Sequence, residues 1–146
     1  MGATESFIYS NLIVVIMDIN REELTSLVDA LELKDMDIVE YRGRNFWLQI
    51  SKGLNPPAAW YSESTYVDGA DVYIDKDLIP DRFKKPVIFH EILEADLRIH
   101  QNMPQDEAHR LARDEDRKYA NKLLTESEKS DYEGLRKELG DFFGDS

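Results

Sequence analysis

The pattern of apolar residues changes near Lys85, and this change constrains the fold more than any other feature of the sequence. Before Lys85, short segments rich in β-branched and aromatic residues favour strands, and DIVEYRGRNFWLQIS predicts a hairpin that turns at RGRN. From Lys85 onward, apolar residues recur at helical spacing to the end of the chain. Strands in one half and helices in the other are typical of an α+β protein. We therefore predict a strand-rich N-terminal half, consisting of a small sheet with one helix, followed by a C-terminal three-helix segment.

Four further segments complete the predicted first half. FIYSNLIVVIMDI is rich in β-branched residues and predicts a central strand, whereas ADVYIDKDLIP alternates apolar and polar residues and predicts a half-exposed strand. Between the hairpin and that second strand, the tandem prolines of KGLNPPAAW predict a loop. In NREELTSLVDALEL, Asn20 can cap a helix and Glu23 completes a capping box. The apolar stripe of this helix comprises Leu24, Leu27, Val28 and Leu31.

Prolines, a capping box and a glycine set the predicted helix boundaries in the second half. Pro86 suits the first turn of a helix that runs to about His100. Pro104 suits the start of a second helix, which runs to about residue 124. A third helix over residues 125–140 begins with a capping box and ends at a glycine.

The charge balance and the composition limit the function. The chain has 30 acidic and 18 basic residues, for a formal net charge of -12, which argues against binding to nucleic acid or to an anionic membrane surface. The apolar run LIVVIM is too short to span a bilayer, and no export signal is visible, so we expect a cytoplasmic protein. Because the chain has no cysteine, any metal must be held by nitrogen and oxygen. The length favours a single domain, residues 1–146.

All three histidines lie within VIFHEILEADLRIHQNMPQDEAHRLA, residues 87–112. His90 and Glu94 are four residues apart, so on a helix they lie on the same face and can bind one metal ion together. The apolar residues of this helix follow a separate stripe, which places the His90–Glu94 pair at the flank of the buried face. His100 lies nearly three turns from His90, about 15 Å along the helix axis, which is too far to share an ion.

A third ligand has to come from outside this helix, and His109 is the best candidate. The short QNMP connection favours an antiparallel pair of helices, which brings the start of the second helix near the end of the first. Asp116 lies seven residues after His109, on the same face. It is a candidate fourth ligand or a hydrogen-bonding partner of His109.

The segment HEILE resembles the HExxH helix of zinc-dependent peptidases, with glutamate in place of the second histidine. The nearest arrangement is that of the gluzincin-like members of the zincin-like metallopeptidase superfamily, and the resemblance covers about residues 71–115. It implies that His90, Glu94 and His109 bind zinc, and that Glu91 is the catalytic general base that activates the bound water.

The same resemblance has two further implications. Peptide substrate would bind alongside a strand that shortly precedes the motif helix, and DVYID has the order and spacing for it. The glutamate that replaces the second histidine weakens zinc affinity and shifts the preference towards harder ions such as manganese or iron.

These features lead us to expect a small metal-dependent hydrolase, most similar to a peptidase, that acts on a peptide or protein substrate. The alternative is a non-catalytic acidic interaction module, such as an inhibitor, an adaptor or a phage-type accessory factor, that binds a protein partner. In that alternative His90 and His109 form hydrogen bonds between helices, and Glu91 and Glu94 lie on a solvated face.

Two other groups of residues are expected to be structural. RDEDRK, residues 113–118, mixes charges at helical spacing and predicts a solvated face with local ion pairs. The aromatic residues of the first half are expected in the core, with a ligand or partner surface as the alternative. These residues are Phe46, Trp47, Trp60, Tyr61 and Tyr66.

Overall fold

The computed structural model describes residues 19–54 and 57–139. These residues form helices α1 (Arg21–Asp29), α2 (Asp81–Ala95), α3 (Gln105–Leu123) and α4 (Glu126–Glu138), and strands β1 (Met36–Tyr41), β2 (Arg44–Ser51), β3 (Ala59–Glu63) and β4 (Ala70–Asp75). A π-helical segment, Asp96–His100, directly follows α2. The order of the elements confirms the α+β prediction, because α1 and the sheet come first and three helices follow. The predicted strand FIYSNLIVVIMDI, except Ile19, and the predicted stop at Gly140 lie outside the described residues.

The four strands form one sheet in the order β1-β2-β4-β3. The β1–β2 pair is antiparallel, which confirms the predicted hairpin, while β4 pairs parallel to β2 and antiparallel to β3. The hairpin turns at Arg42 and Gly43, whose φ angles are 54° and 77°. Two consecutive left-handed residues are typical of a type I′ turn, which suits the twist of a hairpin. One face of the sheet packs against α1 and α2 and forms the core with them.

The strand β4 corrects the prediction of a half-exposed strand. Its two edges pair with β2 and β3, and five of its six residues are buried, with Tyr73 half-buried. The alternation of polar and apolar residues was misleading because the aspartates Asp71 and Asp75 are themselves buried.

The helix α2 differs from its prediction in two ways. It begins at Asp81 rather than at Pro86, which lies inside the helix, where it removes one backbone donor. An acidic residue in the first turn suits the positive end of the helix dipole, so Asp81 is a favourable first residue. Twelve of the 15 residues of α2 are buried. The predicted apolar stripe with a flanking His–Glu pair is therefore wrong, because α1, α3 and the sheet enclose the helix.

The other helices begin where their sequence signals predict. The Asn20 side chain accepts a hydrogen bond from the Glu23 backbone at the start of α1. The helix α3 begins directly after Pro104, and Thr125 with Glu128 forms the predicted capping box of α4. Within the described residues, no helix has both the length and the apolar character needed to cross a membrane.

Substitution of two glycines by alanine is expected to have opposite effects on stability. At Gly69 an added methyl group would collide with the backbone of Asn45 and press on the Phe46 ring, so Gly69→Ala is expected to lower the free energy of unfolding by about 1–3 kcal/mol. At Gly134, inside α4, the space is open. Gly134→Ala is therefore expected to raise the free energy of unfolding by about 0.5–1 kcal/mol, because glycine loses more backbone entropy than alanine in a helix. Urea denaturation of the two variants measures both changes in the free energy of unfolding. A Gly69→Ala variant as stable as the wild type would contradict this description of the β3–β4 connection.

Candidate metal centre

The three candidate ligands come together where α2 packs against α3. One potential ligand atom from each of His90, Glu94 and His109 lies within 4.8 Å of the other two. Glu94 Oε1 is 3.1 Å from His90 Nε2 and 3.1 Å from His109 Nδ1. Two ligands of one tetrahedral zinc ion, at bond lengths of about 2.0–2.1 Å, lie roughly 3.3 Å apart. The side chains therefore have a spacing close to that which a single ion requires.

Burial distinguishes this cluster from an exposed charged helix. The side chains of His90, Glu91 and Glu94 are fully buried, whereas that of His109 is 30% exposed. The expectation that Glu91 and Glu94 lie on a solvated face is therefore wrong. His109 marks the side from which solvent and a small ion can reach the cluster.

Asp116 holds His90 in one orientation. Its Oδ2 lies 2.7 Å from His90 Nδ1, a distance typical of a charge-assisted hydrogen bond. Burial raises the pKa of Asp116, but the interactions with His90, Arg136 and Arg113 outweigh burial, so the pKa is lowered overall. The ionised carboxylate favours a proton on His90 Nδ1, and in a neutral imidazole this leaves the lone pair on Nε2, the nitrogen that faces Glu94. Asp116, a candidate fourth ligand or partner of His109 by sequence, is therefore a hydrogen-bonding partner of His90 and lies outside the clustered ligand set.

Three side chains from α3 and α4 surround the Asp116 carboxylate. Its Oδ1 accepts hydrogen bonds from Arg113 and, at 2.9 Å, from the Tyr132 hydroxyl. Arg136 Nη2 lies 3.9 Å from Oδ2 and 3.5 Å from His90 Nδ1, so it is too distant to displace Asp116 as the partner of that nitrogen. The roles of Tyr132 and Arg136 could not be predicted from sequence, because no motif links α4 to the histidine helices.

Tyr61 of β3 binds the second carboxylate oxygen of Glu94. Its hydroxyl donates to Glu94 Oε2 at 2.8 Å and accepts from Arg98 Nη1 at 3.1 Å. Burial and the charge of Glu94 raise the pKa of Tyr61, so the hydroxyl stays protonated at neutral pH. Glu94 is thereby held with Oε2 towards the sheet and Oε1 towards the two imidazoles. This contact was not predicted, since the sequence places Tyr61 only among the aromatic residues of the first half.

Glu91 lies at the edge of the same cluster. It follows His90 on α2, and its Oε2 is 4.0 Å from His90 Nε2. A carboxylate at this position can reach a water molecule that is bound beside the imidazole, which is the geometry that a general base requires.

The charges around the cluster favour a bound cation. Glu91 and Glu94 are fully buried, and burial of a carboxylate is costly unless a positive charge lies nearby. The arginines Arg113 and Arg136 lie beside Asp116, at the opposite nitrogen of the imidazole. A divalent ion bound by the three candidate ligands would compensate the negative charge on the other side.

His100 lies outside the cluster, in agreement with its distance along the sequence. Its ring contacts Phe46 edge-on, with 6.1 Å between the ring centroids. Burial and the neighbouring Arg44 lower the pKa of His100. This histidine therefore has a packing role in the part of the chain that the structure describes.

Two structural expectations are corrected. Within RDEDRK, Glu115 and Asp116 are buried rather than solvated, because Glu115 faces Arg21 of α1 and Asp116 faces His90. Of the five aromatic residues expected in the core, Phe46 is buried, whereas the others are half-buried or exposed. The latter are Trp47, Trp60, Tyr61 and Tyr66.

The chain was compared with protein-family models, with curated proteins and with solved structures. None of them matches it. The similarity to zinc-dependent peptidases therefore rests on HEILE and on the geometry of the cluster. One implication of that resemblance is wrong: a peptide cannot pair with DVYID, because β4 lies between β2 and β3. The strand at the edge of the sheet next to the cluster is β3, which carries Tyr61.

Proposed function

We propose that this protein is a small metal-dependent hydrolase in which His90, Glu94 and His109 bind one divalent ion. The observation that carries this proposal is the 3.1 Å spacing of Glu94 Oε1 from both imidazole nitrogens in a largely buried site. The orientation of His90 by Asp116 adds support, because metal-binding histidines commonly donate their second nitrogen to a carboxylate. Two imidazoles and one carboxylate suit zinc, with manganese or iron as alternatives.

Glu91 is the proposed general base. A divalent ion held by His90, Glu94 and His109 would supply Lewis-acid chemistry: it would polarise a substrate carbonyl and lower the pKa of a water molecule. The Glu91 carboxylate can accept a proton from the water that attacks the carbonyl carbon, and it can then deliver that proton to the leaving amine.

The surface next to the cluster favours a peptide-like substrate. A cleft of about 420 Å³ adjoins Tyr61, the residue that binds Glu94. Its lining is mostly polar and comprises Tyr61, Ser62, Glu63, Arg98, Ile99 and Asn102. A cleft of this size accommodates a ligand of a few residues, and its polar groups can hydrogen-bond a peptide backbone.

Metal content tests the proposal directly. Untagged protein prepared without chelators is expected to contain zinc, manganese or iron at close to one ion per chain, and His90→Ala is expected to contain none. The matched control is His100→Gln, because it removes the histidine that lies outside the cluster and should leave the metal content unchanged. Inductively coupled plasma mass spectrometry gives the stoichiometry of each sample.

The opposite result favours the alternative function. If neither the wild type nor His90→Ala binds metal, even after zinc or manganese is added, the histidines only form hydrogen bonds between α2 and α3. The protein is then better described as a non-catalytic acidic interaction module, and charge reversals along α3 should weaken its binding to a protein partner.

A further inference from the structure

The face of the sheet opposite α2 carries a group of aromatic side chains. Side chains alternate along a strand, and Tyr61 reaches Glu94 of α2, so its neighbours Trp60 and Ser62 point to the other face. Strand pairing aligns Trp60 with Tyr73, and Ser62 with Asp71. We call this surface the outer aromatic face. It comprises Ile38, Trp47, Trp60, Asp71 and Tyr73, together with Tyr66 from the β3–β4 connection.

The aromatic rings on this face form two pairs. Trp60 stacks on Tyr73 with 4.2 Å between the ring centroids, and Trp47 meets Tyr66 edge-on at 5.5 Å. Trp47, Trp60 and Tyr73 are half-buried, while Tyr66 is 78% exposed. Ring surface is therefore accessible to a ligand from solvent.

Asp71 lies among these rings, and its carboxylate has fewer hydrogen-bond partners than it can accept. The residue is 7% exposed, and its pairing partners across the sheet are Trp47 and Ser62. Its Oδ2 accepts a long hydrogen bond of 3.4 Å from the Tyr73 hydroxyl, whereas Oδ1 has no hydrogen-bond partner among the described residues. No ion pair within the described residues involves Asp71. A buried carboxylate in this state is costly, and a cation is the ligand that would satisfy it.

We propose that the outer aromatic face binds a lysine or arginine side chain presented by a basic polypeptide. The faces of Trp and Tyr rings attract ammonium and guanidinium groups, and the Asp71 carboxylate can accept a charge-assisted hydrogen bond from either group. The net charge of -12 favours the approach of a basic partner. Ile38, which is 49% exposed on the same face, offers apolar contact to the aliphatic part of such a side chain.

This site is independent of the proposed metal centre. Asp71 and the ring pairs lie on one face of the sheet, whereas the histidines contact the other face through Tyr61. Binding of a basic peptide should therefore persist in the His90→Ala variant, so failure of one proposal leaves the other intact.

The two tryptophans of the chain report binding, because Trp47 and Trp60 both lie on the outer aromatic face. Titration of the full-length protein with a tetralysine or tetraarginine peptide is expected to change its tryptophan emission. Asp71→Asn is expected to weaken that binding roughly tenfold or more, because it removes a charged hydrogen-bond acceptor. The matched control Asp106→Asn makes the same substitution at an exposed position in the first turn of α3, which is not part of the sheet, and it should weaken binding by less than about twofold, because an exposed charge is screened by solvent.

Two further measurements separate a binding site from general charge attraction. Without peptide, Asp71→Asn is expected to raise Tm, because it removes a costly buried charge, and this result also shows that the variant folds. Tyr66→Ala, at an exposed position, is expected to weaken peptide binding without lowering Tm. Tryptophan emission that stays unchanged at the highest peptide concentration would overturn the proposal, as would equal weakening of binding by Asp71→Asn and Asp106→Asn.

Discussion

Glu91→Gln is expected to lower the hydrolysis rate by about 10²- to 10⁴-fold, the usual contribution of a general base. Glutamine has nearly the same shape as glutamate but cannot accept the proton of the attacking water. Because Glu91 is fully buried beside His90 Nε2 and is not one of the three clustered ligand atoms, the substitution should leave the metal content and the fold nearly unchanged. The loss should therefore appear in kcat rather than in metal binding.

The assay is cleavage of a peptide library by metal-loaded protein, with metal content and Tm measured on the same samples. Glu107→Gln is the matched control, because Glu107 lies in the first turn of α3, near His109 but outside the clustered ligand set. It should retain the wild-type rate. Cleavage by Glu91→Gln at the wild-type rate would contradict the assigned role, whatever the metal content.

Much of the fold can be predicted from sequence, since its signals are local. The turn at RGRN, Pro104 before α3 and the Thr125–Glu128 capping box each specify a boundary within a few residues. The start of α2 is missed because Asp81 has no side-chain cap before it and Pro86 mimics a first-turn proline. The sheet order is also missed: consecutive strands usually lie side by side, but β4 separates β2 from β3.

The candidate site likewise depends partly on local sequence signals and partly on contacts between elements that are distant in the sequence. Helical spacing places His90 beside Glu94, and the short QNMP connection brings His109 close to them, as the structure has it. The partner of Asp116 depends on how α3 is rotated against α2, which spacing along one helix does not determine. The contact of Tyr61 with Glu94 joins a strand to a helix across the core, so no sequence pattern predicts it.

Asp116→Asn is expected to lower metal affinity about 10- to 100-fold, the usual effect of losing the carboxylate behind a histidine ligand. The asparagine carbonyl oxygen can still accept from Arg113 and Tyr132, which directs its amide group towards His90. The amide then donates to His90 Nδ1, where the aspartate accepted at 2.7 Å. The proton of the neutral imidazole moves to Nε2, and the nitrogen that faces Glu94 loses the lone pair that a metal ligand needs.

The same substitution is expected to destabilise the fold. Asp116 and Arg136 are both buried, and loss of one partner of a buried charge network costs about 3–5 kcal/mol of unfolding free energy. Asp114→Asn is the matched control, because Asp114 lies on the same helix, is 56% exposed and forms an ion pair with Arg117 at 3.7 Å. Calorimetric zinc titration and urea denaturation of the two variants separate the two effects. If Asp116→Asn binds zinc as tightly as Asp114→Asn does, Asp116 does not determine which nitrogen of His90 carries the proton.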